Sequence, residues 1–260
     1  MIIVPASLTQ VRKRVTGKVW TLLHSEDYNH GAEGTVYTSG PASGWTHSGD
    51  FAFSPRLSTT KGQAHSIRFP TQAEVGGSNN AYYRVQLILA ATYFANNSCT
   101  TEFRMDGLSR VPNTGGFARQ DGGGAGVAQA GLCTFGNGTR WHTIGVRTAT
   151  TLGIWINNTA GDAAGVPLAT AATTFGTMTG TTAGTWYPFS YRIKMSATVG
   201  YVEVWWNSLL VAQYTGNTVF AAGSNTGIIG LTYVTHLAGG TASNNDLNNF
   251  GGMTNTATYK

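Results

Sequence analysis

Residues 186–218 read WYPFSYRIKMSATVGYVEVWWNSLLVAQYTGNT. Tyr191, Ile193 and Met195 alternate with Arg192, Lys194 and Ser196. After Gly200, Tyr201, Glu203 and Trp205 alternate with Val202, Val204 and Trp206. A period of two built from β-branched and aromatic residues marks a strand, because successive side chains leave a pleated backbone on opposite sides. The stretch predicts two strands joined by a turn at Gly200. A second short turn at Asn207-Ser208 leads into an apolar strand at Leu209, Leu210 and Val211. Trp205 and Trp206 must point to opposite faces. One belongs to a core, and the other is offered to a sugar ring or a neighbouring subunit.

The same reading extends outward in both directions. Residues 81–94, AYYRVQLILAATYF, form a long expected strand with Tyr82, Arg84, Gln86 and Ile88 on one face and Tyr83, Val85, Leu87 and Leu89 on the other. Further strands are expected at residues 20–24, 35–38, 51–53, 64–69, 100–105, 141–147, 151–156, 174–178 and 227–234. The rest of residues 25–49 reads as loops. PNTGG and DGGGAG within residues 112–126 read as a glycine-rich loop, and residues 157–162 as a turn cluster. No apolar face holds a 3.6-residue period for long, so no helix is expected. Many short strands with frequent turns predict an all-β, two-sheet antiparallel jelly-roll sandwich. The expected domain spans residues 20–240, with an N-terminal arm at 1–19 and a C-terminal tail or docking segment at 241–260.

The chain has 260 residues, enough to bury a large core without covalent staples. Only 10% of them are charged, against about a quarter in an ordinary domain. Disorder is excluded nonetheless, because 11% of the residues are aromatic. With 35 glycines and many Thr and Asn, the composition fits a turn-rich β-protein. The net charge is +5, and Arg12, Lys13, Arg14 and Lys18 gather in the arm. Such an arm binds nucleic acid or an acidic protein surface, or is simply solvated. No other Lys/Arg cluster interleaves with aromatics, which argues against nucleic-acid binding as the main role. Cys99 and Cys133 either pair or stay free, and their spacing fits no zinc motif. The start MIIVPASLTQVRKR places its apolar residues before its charges, the reverse of an export signal, so synthesis in a cytoplasm is expected. No stretch is long and apolar enough to span a membrane as a helix.

The run FSYRIKMSATVGYVEVWWNSLLV resembles a recurrent hairpin of the concanavalin A-like lectin/glucanase superfamily. There a strand of the form R-x-K leads through a Gly turn into G-x-V-E-V-W-x-N-G. Arg192, Lys194, Gly200, Val202, Glu203, Val204, Trp205 and Asn207 match, while Ser208 stands where Gly is common. The resemblance implies two packed antiparallel sheets, often with a sugar-binding face, in a group that spans lectins, glycoside hydrolases, polysaccharide lyases and bacteriophage surface proteins.

The chemistry of those enzymes is not written here. A retaining glucanase of the group carries Glu-x-Asp-x-x-Glu, which is absent. Glu102 and Asp106 could share a face but lie at a strand end. Tyr82, Arg84 and Gln86 fall on one face in a way that suggests a lyase, with His65 or His142 as a base, yet the companion lyase motifs are missing. Asn244, Asn245, Asp246, Asn248 and Asn249 hold one carboxylate and read as a turn rather than a calcium loop. No cofactor or metal is expected. The candidate glycan-binding or interface residues are Tyr82, Arg84, Gln86, Trp205, Trp206 and Glu203, with Arg12, Lys13 and Arg14 for docking the arm. Trp45, Trp141, Trp155 and Trp186 fit either a core or an interface.

The expected role is a non-enzymatic component of a bacteriophage virion, a head decoration or tail-associated protein with a glycan-binding face. Its partners would be other virion proteins, copies of itself and host-surface polysaccharide, and its location the virion. A polysaccharide lyase or a free carbohydrate-binding module is the alternative.

Overall fold

A computed structural model describes residues 20–29, 31–36, 46–49, 56–58, 66–68, 81–89, 102–110, 130–137, 139–148, 151–159, 174–179, 182, 185–221, 227–235 and 249–257. Every regular element among them is a strand. In chain order these are β1 (Thr21–Glu26), β2 (Thr46–Gly49), β3 (Arg56–Ser58), β4 (Ser66–Arg68) and β5 (Ala81–Leu89). Then come β6 (Glu102–Arg110), β7 (Ala130–Gly136), β8 (Arg140–Thr148), β9 (Thr151–Thr159) and β10 (Thr174–Thr177). The last five are β11 (Trp186–Lys194), β12 (Gly200–Trp206), β13 (Leu209–Gly216), β14 (Gly227–Thr235) and β15 (Asn249–Ala257).

They form two antiparallel sheets. The first runs β13-β12-β11-β6-β15-β4-β3, with β1 also paired to β15. The second runs β10-β9-β8-β7-β14-β5-β2.

The hairpin that opened the sequence analysis is the best-formed part of the first sheet. Ile193 faces Val202 across the ladder, Tyr191 faces Val204, and Phe189 faces Trp206. All six are buried. They alternate with Lys194, Arg192, Ser190, Tyr201, Glu203 and Trp205, which therefore share the outer face. Fully burying one large apolar side chain contributes about 1.5–3 kcal/mol, so the inward half of this hairpin alone drives much of the sandwich. β6 adds Phe103 and Met105 to the inner face. Phe103 meets Phe135 of β7 with ring centroids 5.6 Å apart, and this contact joins the two sheets. Ile144, Leu152 and Ile154 complete the second sheet's share of the core.

Two further devices hold the sheets together. Gly176 of β10 lies so close to the Val211 carbonyl of β13 that no side chain fits there, which brings the two sheet edges together. Near the β11–β12 turn, His142 of β8 is fully buried and its Nε2–H donates to the Thr218 carbonyl oxygen at 2.6 Å. The ring stacks on Phe220, with centroids 4.5 Å apart. The Thr218 hydroxyl donates to the Lys194 carbonyl at 2.8 Å and accepts from the Ser196 N–H at 2.9 Å. One threonine thus links the second sheet to the turn of the first.

The Asn207-Ser208 turn has positive φ at both residues, 49° and 66°. That is the left-handed pair of a two-residue hairpin turn, and neither position is glycine.

Four strands depart from expectation, among them β3, RLS, which was not anticipated. β2 lies where loops were expected. β7, AGLCTFG, follows the glycine-rich stretch and was not anticipated. β15, NFGGMTNTA, lies inside the stretch expected as a C-terminal tail, yet it runs between β6 and β4 in the first sheet. The expected strand at residues 51–53, Trp45, Cys99 and the arm with Arg12, Lys13 and Arg14 lie outside the described residues.

Candidate functional site

The outer face of the first sheet is a grid of polar and aromatic side chains. Strand register sets its rows. Gln213, Glu203, Arg192 and Arg104 stand in line across β13, β12, β11 and β6. In the next row Trp205, Ser190 and Asp106 stand in line, and on the other side Tyr201, Lys194 and Glu102. Each position follows from the period-two alternation that puts Val202, Val204 and Trp206 into the core.

Glu203 organises the centre. Its Oε2 accepts from Arg192 Nη1 at 2.9 Å and from the Trp205 indole N–H at 3.1 Å. Its Oε1 accepts from the Gln213 amide at 3.2 Å. The Trp205 ring is thereby held by its one polar atom while the residue stays half-buried. Arg104 and Arg192 face each other directly, an arrangement of like charges that needs compensation. Glu203 supplies it for Arg192. Asp106 supplies it for Arg104, accepting from Arg104 Nε at 2.8 Å. The Trp20 ring lies over both guanidinium groups, at 5.4 Å from Arg192 and 6.0 Å from Arg104, within cation–π range.

Burial leaves its mark on the titrating groups. Desolvation raises the Asp106 carboxyl above its ordinary value, against the pull of Arg104, Ser190 and Arg192. Tyr201 is pushed up strongly, first by burial and then by its hydroxyl's 2.6 Å hydrogen bond to Glu102 Oε2 and that carboxylate's charge. Its phenol is a donor here and not a base.

Of the residues singled out in the sequence, Glu203 and Trp205 meet on this face, while Trp206 is the core member of the tryptophan pair, 1% exposed. Tyr82, Arg84 and Gln86 sit at register positions of β5, opposite Val234, Thr232 and Gly230 of β14, in the other sheet. The two candidate groups are therefore not one site. Trp20, Arg104, Ser190 and Gln213 were not singled out. Arg104 and Ser190 meet at 3.2 Å although 86 residues apart in sequence, and local pattern carries no signal for such a pairing.

No family model matches the chain, and no curated protein matches it in sequence. Solved structures do match. The endo-1,3-β-glucanase of Streptomyces sioyaensis superposes with a TM-score of 0.56 at 12% identity, covering 93% of this chain and 97% of the enzyme. Lectin II from Ulex europaeus gives 0.51 at 9% identity, covering 92% and 100%. The Lotus tetragonolobus seed lectin gives 0.51 at 10% identity, covering 88% and 100%. The chain folds as a concanavalin A-like jelly roll. At such identities the likeness is one of fold, and chemistry has to be read from the side chains.

In this concanavalin A-like sandwich the outward carboxylates described on the first sheet, Glu102, Asp106 and Glu203, stand apart. Glu102 and Asp106 are four residues apart on one strand, about 13 Å by strand rise. Glu203 lies two strands and one row away from either, roughly 12 Å. Glycosidase pairs need about 5–5.5 Å for retention or 6.5–9.5 Å for inversion. Each of these carboxylates is also engaged, with Tyr201, Arg104 or Arg192. Among the described residues no three His, Cys, Asp or Glu side chains converge as a metal site. What the grid offers is a fixed aromatic ring beside planar donors and acceptors. That suits binding a polyhydroxylated ligand better than breaking a bond in it.

Proposed function

We propose that the protein is a carbohydrate-binding jelly roll that holds polysaccharide on the outer face of its first sheet without cleaving it, as a head-decoration or tail-associated component of a bacteriophage virion. The observation that carries the binding is Trp205, half-buried on that face, its ring fixed through Glu203 and flanked by Gln213, Arg192 and Ser190. An aromatic platform takes the apolar face of a sugar ring, and the amide, carboxylate and guanidinium take its hydroxyls. The lectin names of two of the superposed structures support a sugar ligand. The spacing and engagement of the carboxylates support binding without hydrolysis.

The virion role rests on composition. A low-charge, Gly-, Thr- and Asn-rich β-protein fits a component of a particle that is made inside a cell and then faces the outside. A glycan array with the wild type and Trp205→Ala tests the binding. Wild-type signal that falls at least tenfold in the variant is expected; equal signal, or none from either, rejects the reading. Mass spectrometry of purified particles tests the location, and absence of the chain from them removes the virion part.

A further inference from the structure

Arg110 closes the outer face of β6, in register with Trp186 of β11 on one side and Asn249 of β15 on the other. It shares the outward side with Arg104 and Asp106. The two guanidiniums nearest the centre of this face have carboxylates of their own, Asp106 for Arg104 and Glu203 for Arg192. Arg110 differs. Its Nε and Nη1 are buried and have no hydrogen-bond acceptor among the described residues, which leaves Nη2 as the nitrogen open to solvent. A guanidinium is a cationic donor that makes charge-assisted hydrogen bonds to anions. A half-buried guanidinium without an anion is costly, and the cost is repaid only when an anion arrives.

We propose that the polysaccharide bound on this face is anionic, and that Arg110 pairs with its carboxylate or sulfate groups. This rests on the glycan-binding reading above and narrows it to a ligand class. Three observations converge on that class. The Nη2 of Arg110, the nitrogen open to solvent, offers charge-assisted N–H donors to an oxygen of a carboxylate or sulfate. Trp186 on the neighbouring strand sets an aromatic ring beside it at the same register, half-buried like Trp205. Arg68 of β4 and Arg56 of β3 hold register positions in the same row beyond Asn249, so cationic residues recur along this line of the sheet. A neutral glycan would use Trp205 and its polar neighbours and leave Arg110 as it is.

The test measures binding of the full chain to alginate, dextran sulfate and neutral dextran, each at low and high NaCl. Wild type is expected to bind at least one polyanion about tenfold or more tightly than dextran, with the advantage shrinking as salt rises. Preference for alginate assigns a carboxylate ligand, and preference for dextran sulfate a sulfate ligand. Arg110→Gln is expected to lose that advantage and to melt no lower than wild type, because it removes an unpaired charge; a purely structural arginine would lower the melting point instead. Arg110→Lys keeps the charge but not the guanidinium geometry and is expected to fall between the two, and it decides the matter alone if the Gln variant does not fold. Equal binding to all three polymers, or unchanged polyanion binding by the variants, overturns this inference while leaving glycan binding intact. Binding to none of them, together with a blank glycan array, removes both.

Discussion

Two outer faces carry tryptophan in this molecule, and they use it differently. On the first sheet Trp205 is half-buried, with its indole N–H on Glu203 and charged groups around it. On the second sheet Trp141 and Trp155 also lie on the side opposite the core, as their register with Gly136 and Thr143 shows. Yet they are only 2% and 3% exposed. The Trp141 ring covers Gly136 so closely that no β-carbon fits between them. The first arrangement presents a ring, and the second uses one as packing. An outward tryptophan is thus not a binding residue by virtue of its face; what it covers and what holds its nitrogen decide.

The contrast breaks first at Trp141. Replacing a buried tryptophan by alanine costs about 3–5 kcal/mol, so Trp141→Ala is expected to lower denaturant stability by that amount and to leave polysaccharide affinity of the folded fraction unchanged. Affinity lost without stability would reverse the assignment of the two faces.

A second test uses pH. Burial, only partly offset by the Thr218 hydrogen bond, lowers His142 from its ordinary 6.5 to about 4. The unfolded chain then takes up a proton as pH falls below 6.5 while the folded chain does not. Stability is therefore lost progressively between pH 6.5 and about 4, and the loss levels off below, amounting to about 3 kcal/mol. Urea titrations across that window should show this slope in wild type and lose most of it in His142→Gln. A slope that persists in the variant would place the proton uptake elsewhere.

Trp205→Ala is the mirror of Trp141→Ala. Its stability should change by less than about 1 kcal/mol, as for a substitution away from the core, while affinity falls at least tenfold, in calorimetric titration. The smallest effect is expected at the hairpin that carries Trp205. Ser208 pays for its left-handed backbone, and Ser208→Gly should raise stability by about 1 kcal/mol in thermal melts without moving affinity.

How much of this was legible follows from where the pattern is local. The β11–β12 hairpin reads directly, because Val202, Val204 and Trp206 alternate with Tyr201, Glu203 and Trp205 and both faces are chemically distinct. β15 does not read at all. Its NFGGMTNTA has no apolar alternation, and it is a strand because β6, β4 and β1 flank it, all more than a hundred residues earlier in the chain. β7 is hidden by the same glycine habit. The site divides likewise: Glu203 and Trp205 were visible on one strand, but Arg104, Ser190, Trp20 and the unpaired Arg110 gain their meaning only when β6 lies against β11.

Hydroxyl-radical footprinting of the protein with and without saturating polysaccharide addresses the choice of face most directly. Oxidation of Trp205 and Tyr201 should fall on binding, while the already buried Trp141 and Trp155 stay as they are. Protection of the β5 tyrosines in the second sheet, with Trp205 oxidised as before, would contradict the account.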